Sequence, residues 1–386
     1  MNVSLLNSIT RSMMQAALML SVLLFTACSS QGDEPNSPQP SMADNVQVGL
    51  RISLGSTDAM TKATPAGDYD SGTATAYENY IDIAGNDYRV LFFDTSNRYL
   101  ATFVPTKFVA ESSDATTSKT YEVMGKVTGS MPTSFKVVVL ANWSSYPTNL
   151  VVGVTTIADV CSGEACRYAY APGFVPSATQ HIPMYGVKQC YNVVFRDKLI
   201  SDLGSIHLLR AMAKVEVECH TTGWTLNSVV LNNYNTAGFS APADVFSEDD
   251  YVRNSYESDY NSNLHVPDGS AKAEQIAFTK VADGKYVIYV PEYRNVDNAG
   301  EVLGDASRIS VQFAESETTY PVHFKYYSSA PSTSAIGRWF DIRRNYYYRF
   351  VINKSNEDVD LDISLDLYPY TIYNLEPGFG NPPAGE

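Results

Sequence analysis

An all-β protein, built as two β-sandwich domains in tandem with few short helices, is what this sequence predicts. Three observations carry that reading. Tyr, Val, Ser, Thr and Asn are abundant, with 27 Tyr in 386 residues, while Asp, Glu, Lys and Arg together make up only 18%; β-branched and aromatic side chains suit a pleated, half-buried surface. Short runs of alternating apolar residues recur along the chain with turn residues between them. The length is that of two ordinary domains rather than one.

The first strand is Val46-Gln-Val-Gly-Leu-Arg-Ile-Ser-Leu54, in which Val46, Val48, Leu50, Ile52 and Leu54 share one parity and polar residues or Gly fill the other. That is the pattern of a strand with one buried face. Gly55 to Ala76 is polar, with Thr61-Lys-Ala-Thr64 near its middle, the kind of exposed segment that a protease binds in extended form. Tyr88–Asp94 and Tyr99–Val104, separated by Thr95-Ser-Asn-Arg98, form a hairpin by spacing and turn chemistry. Phe135–Ala141 is apolar apart from Lys136 and reads as a central strand buried on both faces. Asn149–Cys161 is the best candidate for a short helix, although its β-branched residues oppose one.

A second domain opens near residue 205, giving domains at 46–204 and 205–386. Ile206–Cys219 is a long strand or strand pair, followed by Trp224–Asn233. Residues 240–275, rich in Tyr and Asp, read as a long surface loop. Tyr286–Val290, Ile309–Phe313, Tyr320–Tyr326, Tyr346–Ile352 and Val359–Leu367 continue the strand pattern.

Residues 1–27 describe a secretory signal: Arg11 precedes a short apolar run, Ala16 to Phe25, that ends in small residues. Thr26-Ala-Cys28 resembles a bacterial lipobox, with Phe25 where Leu is usual, and that resemblance makes Cys28 the acylated first residue of the mature chain. The other reading is an ordinary cleaved signal with an incidental cysteine. Residues 28–45 are a flexible Pro-, Ser- and Asp-containing tether, and its start resembles the surface-export tether of Bacteroidetes lipoproteins.

The net charge of −15 argues against a nucleic-acid partner, which needs clustered Lys and Arg. Besides Cys28 there are four cysteines. Cys161 and Cys166 flank a short Ser-Gly-Glu-Ala loop and are the candidate pair for a disulfide, whereas Cys219 continues the inward parity of Ala213, Val215 and Val217 and suits a small buried hydrophobe. Their spacing does not suit a zinc site. No G-x-S-x-G, H-E-x-x-H, P-loop or G-x-G-x-x-G occurs, and His181, His207, His220, His265 and His323 are scattered singly. The chain therefore reads as a non-enzyme without metal or cofactor.

Set together, several pieces resemble the fimbrillins of Bacteroidetes, subunits of donor-strand pili. They are the lipobox, the strand before Thr61-Lys-Ala63, Val138-Val-Leu-Ala-Asn142, Ile182-Pro-Met-Tyr-Gly186, Leu209-Arg-Ala-Met-Ala-Lys-Val-Glu-Val217, and Arg344-Asn-Tyr-Tyr-Tyr-Arg-Phe-Val-Ile352. The closing Tyr368-Pro-Tyr-Thr-Ile-Tyr-Asn-Leu-Glu-Pro-Gly-Phe-Gly380 is similar to the end of the Mfa-like branch. The resemblance implies transthyretin-like sandwiches and a stalk or tip subunit of a surface pilus, partnered by other fimbrial subunits. It also implies a precursor held in the outer membrane by lipid on Cys28 and cut by a trypsin-like surface protease between Lys62 and Ala63, where the family usually has Arg. Arg51 is the competing site but falls within the strand pattern. The cut releases the strand of Val46, Val48, Leu50, Ile52 and Leu54, and the groove is refilled by a neighbour's C-terminal donor strand, carrying Tyr370, Ile372 and Leu375. Two alternatives stand beside this reading: a membrane-anchoring fimbrial subunit in which Lys62 stays uncut, and a surface glycan-binding lipoprotein of a polysaccharide uptake system, which requires exposed aromatic platforms.

Overall fold

The computed structural model describes residues 46–54, 76–196, 198–243, 245–246, 264–327, 333–353 and 361–368. Cys28, Lys62, Ala63, Tyr370, Ile372 and Leu375 lie outside them. The first half comprises β1 (Val46–Ser53), β2 (Tyr88–Phe93), β3 (Tyr99–Ala110), β4 (Thr120–Thr128), β5 (Phe135–Ala141), a six-residue helix α1 (Ile157–Ser162), β6 (Arg167–Ala169), β7 (Met184–Cys190), β8 (Ile200–His207) and β9 (Leu209–Arg210). The second half comprises β10 (Ala213–Cys219), β11 (Leu226–Asn235), β12 (Ala237–Phe239), β13 (Ala271–Ala277), β14 (Thr279–Ala282), β15 (Lys285–Val290), β16 (Arg308–Phe313), β17 (Thr319–His323), β18 (Tyr347–Asn353) and β19 (Asp362–Tyr368). The all-β prediction holds.

The first sandwich is one eight-stranded sheet, ordered β8-β1-β4-β3-β2-β5-β7-β9. The long β3 bridges two neighbours: Tyr99 to Thr102 pair with β2, Thr102 to Ala110 pair with β4, and its register against β4 shifts between Pro105 and Lys107. Val48, Leu50 and Ile52 of β1 consequently share a core with Phe92 of β2 and with Val137 and Val139 of β5. The opposite parity of β2, β5 and β7, including Leu91, Val138, Leu140 and Tyr185, is buried under Ile157, Val160 and Cys161 of α1 and under Ala241 and Val245. β5 is therefore buried on both faces, as its apolar run from Val137 to Ala141 requires. The hairpin also forms as expected, with Asn97 at φ +64° in its turn and the Asp94 amide donating to the Arg98 carbonyl at 2.8 Å.

The second sandwich packs the sheet β14-β15-β10-β18-β19 against the sheet β13-β11-β16-β17. Val215, Val217 and Phe350 of the first meet Leu231, Ile309 and Val311 of the second in a shared core.

Four sequence expectations are corrected. The helix begins only at Ile157, because Gly153 takes φ +73° and Thr156 caps the helix, its hydroxyl accepting from the Asp159 amide at 3.1 Å while Asp159 Oδ2 accepts from the Thr156 amide at 2.8 Å. Ile206–Cys219 is not one strand but the end of β8, then β9, then β10 in the other sandwich. A domain boundary at 204/205 would cut through β8, which pairs in parallel with β1; the sheets divide between Arg210 and Ala213. Part of the expected surface loop goes inside: Ala241 and Val245 are buried, and β12 pairs with β6, so the second half of the chain lends a segment to the first sandwich. β13 then begins at Ala271, within that same stretch.

The expected Cys161–Cys166 disulfide is absent; both are buried thiols. Cys166 Sγ accepts from the Ala241 amide at 3.3 Å, and Cys161, on the inner face of α1, packs in the same cluster as Tyr185. Burial pushes both thiols above the usual cysteine range, which keeps them protonated and unreactive.

The joint between the sandwiches is polar and buried. Arg210 has no exposed surface. Its Nε donates to the Glu78 carbonyl at 3.2 Å, its amide and Nη1 both donate to Asn345 Oδ1 at 3.1 Å, and its Nη2 donates to Asn79 Oδ1. Lys214 Nζ lies 3.0 Å from Glu78 Oε1, both fully enclosed, and the Tyr289 hydroxyl donates to the same carboxylate. Asn142, at φ +58°, donates from Nδ2 to the Tyr80 and Ile182 carbonyls at 2.7 and 3.1 Å. Gly186 is required nearby, because a Cβ there would stand 2.4 Å from the His207 carbonyl oxygen.

Removing one member of such a network leaves buried groups uncompensated. Arg210→Ala is expected to lower unfolding free energy by about 3–5 kcal/mol, read as the shift of the urea midpoint at constant m-value. A loss below about 1 kcal/mol would show that the network contributes no more than a surface ion pair.

Candidate functional site

β1 occupies an interior position in its sheet, antiparallel to β4 (Val46↔Val127 to Ser53↔Thr120) and parallel to β8 (Gln47↔Ile200 to Ser53↔His207). Val46, Val48, Leu50, Ile52 and Leu54 face inward and none is more than 7% exposed. The structure therefore brings together all five residues that alternation singles out. Their burial contributes about 1.5–3 kcal/mol each, on the order of 8–15 kcal/mol in all, which is comparable to the net stability of a whole domain. Beyond the ladder, the Leu54 amide donates to the Lys119 carbonyl at 2.8 Å and the Leu208 amide to the Ser53 carbonyl at 3.0 Å.

The outward parity is different in kind. Gly49 lets β8 close over β1, since a Cβ there would stand 3.2 Å from Ile200 Cγ2. Arg51 is exposed and its Nε donates to Glu111 Oε1 at 2.8 Å. Its backbone is held between Glu122 of β4 and Ser205 of β8, so a protease that needs extended backbone cannot engage it without first dismantling the sheet.

The second element of interest is β19, which lies at an edge of its sheet and pairs with β18 alone among the described strands. Ile363 and Leu365 face inward and are buried. On the other parity, Asp366 Oδ2 accepts from Arg349 Nη1 at 3.1 Å, and the Nε of the same guanidinium donates to Glu218 of β10. Glu218 also lies 2.9 Å from Lys285 Nζ and 3.1 Å from His220 Nε2. A ladder of alternating charge thus runs β10–β18–β19 and pins the C-terminal edge strand. Burial by itself raises the Glu218 carboxyl, but hydrogen bonds from Lys285, Arg349 and His220 outweigh it and hold the group below the usual carboxylate range.

The remaining candidate groups have packing roles. His265 stacks on Phe239 at 4.2 Å, His181 lies against Tyr80 and His323 against Trp339. Trp143 is buried and donates from Nε1 to the Met184 carbonyl at 2.8 Å, and Trp224 meets Phe313 edge-on. Trp224 and Trp339 are half-buried against these ring partners. Sequence reading missed the joint of Glu78, Arg210, Lys214 and Asn345. Its signal was present as Arg210 and Lys214 inside an otherwise apolar run, although their partners are remote in sequence.

Residues 50–165 match the family model described as the major fimbrial subunit protein FimA, which agrees with the fimbrillin resemblance over that stretch. The matched stretch begins inside β1 and takes in Lys62 and the next four strands. That family is one of structural subunits, not of enzymes. No curated protein sequence matches the chain. Among solved structures, the tip fimbrial protein Mfa3 of Porphyromonas gingivalis, determined with a C-terminal truncation, is 14% identical with a TM-score of 0.49, over 83% of this chain and 99% of that one. A fimbrial assembly protein of Parabacteroides distasonis is 13% identical with a TM-score of 0.45, over 83% of this chain and 99% of that one.

Because Glu218 is held below its unfolded value, the stability it contributes is full above the unfolded carboxylate range and is lost as pH falls through the folded value. The wild-type urea midpoint is therefore expected to fall steeply below about pH 4.5. Glu218→Gln should start lower at pH 7 and show a shallower acid limb. Parallel acid limbs for the two proteins would remove Glu218 from the account.

Proposed function

From the fimbrial-subunit region at residues 50–165, we propose that this chain is a stalk or tip subunit of a cell-surface pilus. It is exported as a lipoprotein on Cys28, trimmed after Lys62 by a trypsin-like surface protease and polymerised by donor-strand exchange. The observation that supports this most is the position of β1. It is the first of the described strands, it fills an interior slot, and a polar segment containing Lys62 follows it directly in sequence. Once cut from the rest of the chain, β1 is held by non-covalent contacts alone. Its departure leaves an apolar groove between the unpaired edges of β4 and β8, a template for strand addition.

The donor is the stretch after β19, with Tyr370, Ile372 and Leu375 supplying apolar groups for the groove. Lys62 stands where the family usually has Arg; a trypsin-like enzyme accepts the ammonium as well as the guanidinium, whereas a strictly Arg-specific one does not. Under the second of these the chain stays uncut and serves as the membrane-anchoring subunit.

The N-terminal residue of protein recovered from surface filaments tests the maturation step directly: Ala63 supports it, and Cys28 favours the anchor. Lys62→Ala is expected to yield full-length, lipid-bearing monomer, because β1 continues to fill its own slot; filaments of normal length from that variant would rule out Lys62 as the switch. Truncation after Tyr368 keeps β19 and should leave the melting midpoint unchanged while abolishing the SDS-resistant ladder seen on unboiled gels of trimmed protein. Ile372→Asp should weaken the ladder too, since a carboxylate in an apolar groove is costly. Ladders from truncated subunits alone would move the donor elsewhere.

A further inference from the structure

The second half of the chain closes part of the first sandwich with a strap. β12 pairs with β6, and Ala241 and Val245 beyond it are buried against the sheet face that carries Leu91, Val138, Leu140 and Tyr185. The Ser240 amide donates to the Cys166 carbonyl at 2.7 Å, the Ala241 amide to Cys166 Sγ at 3.3 Å, and the Tyr185 hydroxyl to the Val245 carbonyl. That face is the opposite parity from the one packed against β1. The strap and β1 are therefore separate closures of one sheet.

A small charged cluster holds the outer side of this strap. Arg344 Nη1 donates to the Ser240 carbonyl at 3.2 Å, and Arg344 Nη2 donates to Glu292 Oε2 at 2.7 Å. His265, half-buried, donates from Nδ1 to the Ala241 carbonyl at 2.8 Å, and its ring stacks on Phe239 of β12 with centroids 4.2 Å apart. Its amide donates to Glu292 Oε2 at 3.1 Å, while Glu292 Oε1 accepts from the Arg344 amide at 3.3 Å. Both oxygens of the one carboxylate are thus already engaged. Among the described residues, the charged groups facing His265 are Arg344 and Glu292. Tyr168 and Cys166, which border Arg344, stay uncharged because burial pushes the hydroxyl and the thiol up. A neutral imidazole suits this setting. An imidazolium adds a second cation beside Arg344, with a single occupied carboxylate to share between them.

We infer that His265 is an acid-sensitive latch: a proton taken up from solvent on its ring loosens the strap over the first sandwich while β1 stays in its slot. Burial holds the ring below the usual imidazole range and Arg344 adds to this, outweighing the opposite pull of the Ala241 carbonyl and Glu292. An opened strap returns the ring to its ordinary value of about 6.5. The closing contribution is therefore full above that value and is lost as pH falls through the lower value of the closed state. Opening uncovers the apolar face under Ala241 and Val245, and leaves the Arg210 joint as the remaining polar tie between the halves of the chain.

Hydrogen–deuterium exchange on the full chain tests this between about pH 7.5 and about pH 5.0, a range that stays above the titration of ordinary carboxylates. Rates are corrected for the intrinsic pH dependence of exchange and read on peptides covering β12 and the strap. Protection of the Ser240 and Ala241 amides should fall about tenfold over that range, while peptides of β1 keep theirs. His265→Phe keeps a ring on Phe239 but can neither titrate nor donate. Its strap should be less protected at the upper pH and show no further fall at the lower. The NMR titration of the His265 ring proton in the wild type is a readout independent of that variant, with a midpoint expected below about 6.5. Equal protection at both pH values, a fall that β1 shares, the same fall in His265→Phe, or a ring midpoint at or above about 6.5 would each overturn the latch.

Discussion

The first sandwich depends on a strand that has no substitute within its own described fold. β1 is hydrogen-bonded on both sides and delivers five apolar side chains to the core, a contribution on the order of that domain's whole net stability. Among the described strands it is also the one nearest the N-terminus, separated from β2 by a long polar stretch, so a single backbone cut between them would convert a covalent element into a ligand. Before the cut, β1 returns to its slot as a tethered segment at high effective concentration, and a strand offered by a neighbour competes poorly. After such a cut, the proposed donor strand would compete with β1 on equal terms and a released β1 would be diluted away. In the proposed cycle, the same burial that makes the monomer safe makes the joined filament durable.

The joint between the sandwiches is a second constraint, and it is built from charge rather than grease. Arg210 and Lys214 sit with essentially no solvent exposure against Glu78, Asn79 and Asn345. Such pairs are a weak source of net stability, because desolvation offsets much of the attraction. Their geometric demands are strict, however: the guanidinium must meet two side chains and a backbone carbonyl at once. We read the joint as setting the relative placement of the sandwiches. Glu78 follows the proposed cut segment closely in sequence, so under the proposed cycle the chain beyond the cut stays tied to the joint through Glu78 when β1 departs.

Several motifs that carry the fimbrillin resemblance take on physical meaning in this light. Arg210, Lys214 and Asn345 are the joint itself. Asn142 ends β5 in a left-handed conformation and ties down the Tyr80 and Ile182 carbonyls. Arg344 is buried with Glu292, Nη2 to Oε2 at 2.7 Å, and donates from Nη1 to the Ser240 carbonyl at 3.2 Å, fixing the segment that the second half of the chain lends to the first. These are the polar residues that hold sandwiches and segments in place, set among apolar residues that fill cores.

What the sequence determined by itself is the local alphabet of this protein. Strict alternation marked β1 and its inward set, because a strand with one solvated face has a period of two, which composition alone displays. A run apolar at every position but Lys136 marked β5, because both its faces are covered. The helix was placed too early, since Gly153 and the capping preference of Thr156 moved its start to Ile157. Tertiary structure decided the rest. That β8 belongs to the first sheet, that Ala241 and Val245 turn inward, that Cys161 and Cys166 remain separate thiols, and that Arg210 finds Asn345 are all contacts between segments far apart in the chain. The pattern of a single segment reports which of its faces is buried; only the assembled sheets settle which distant segment buries it.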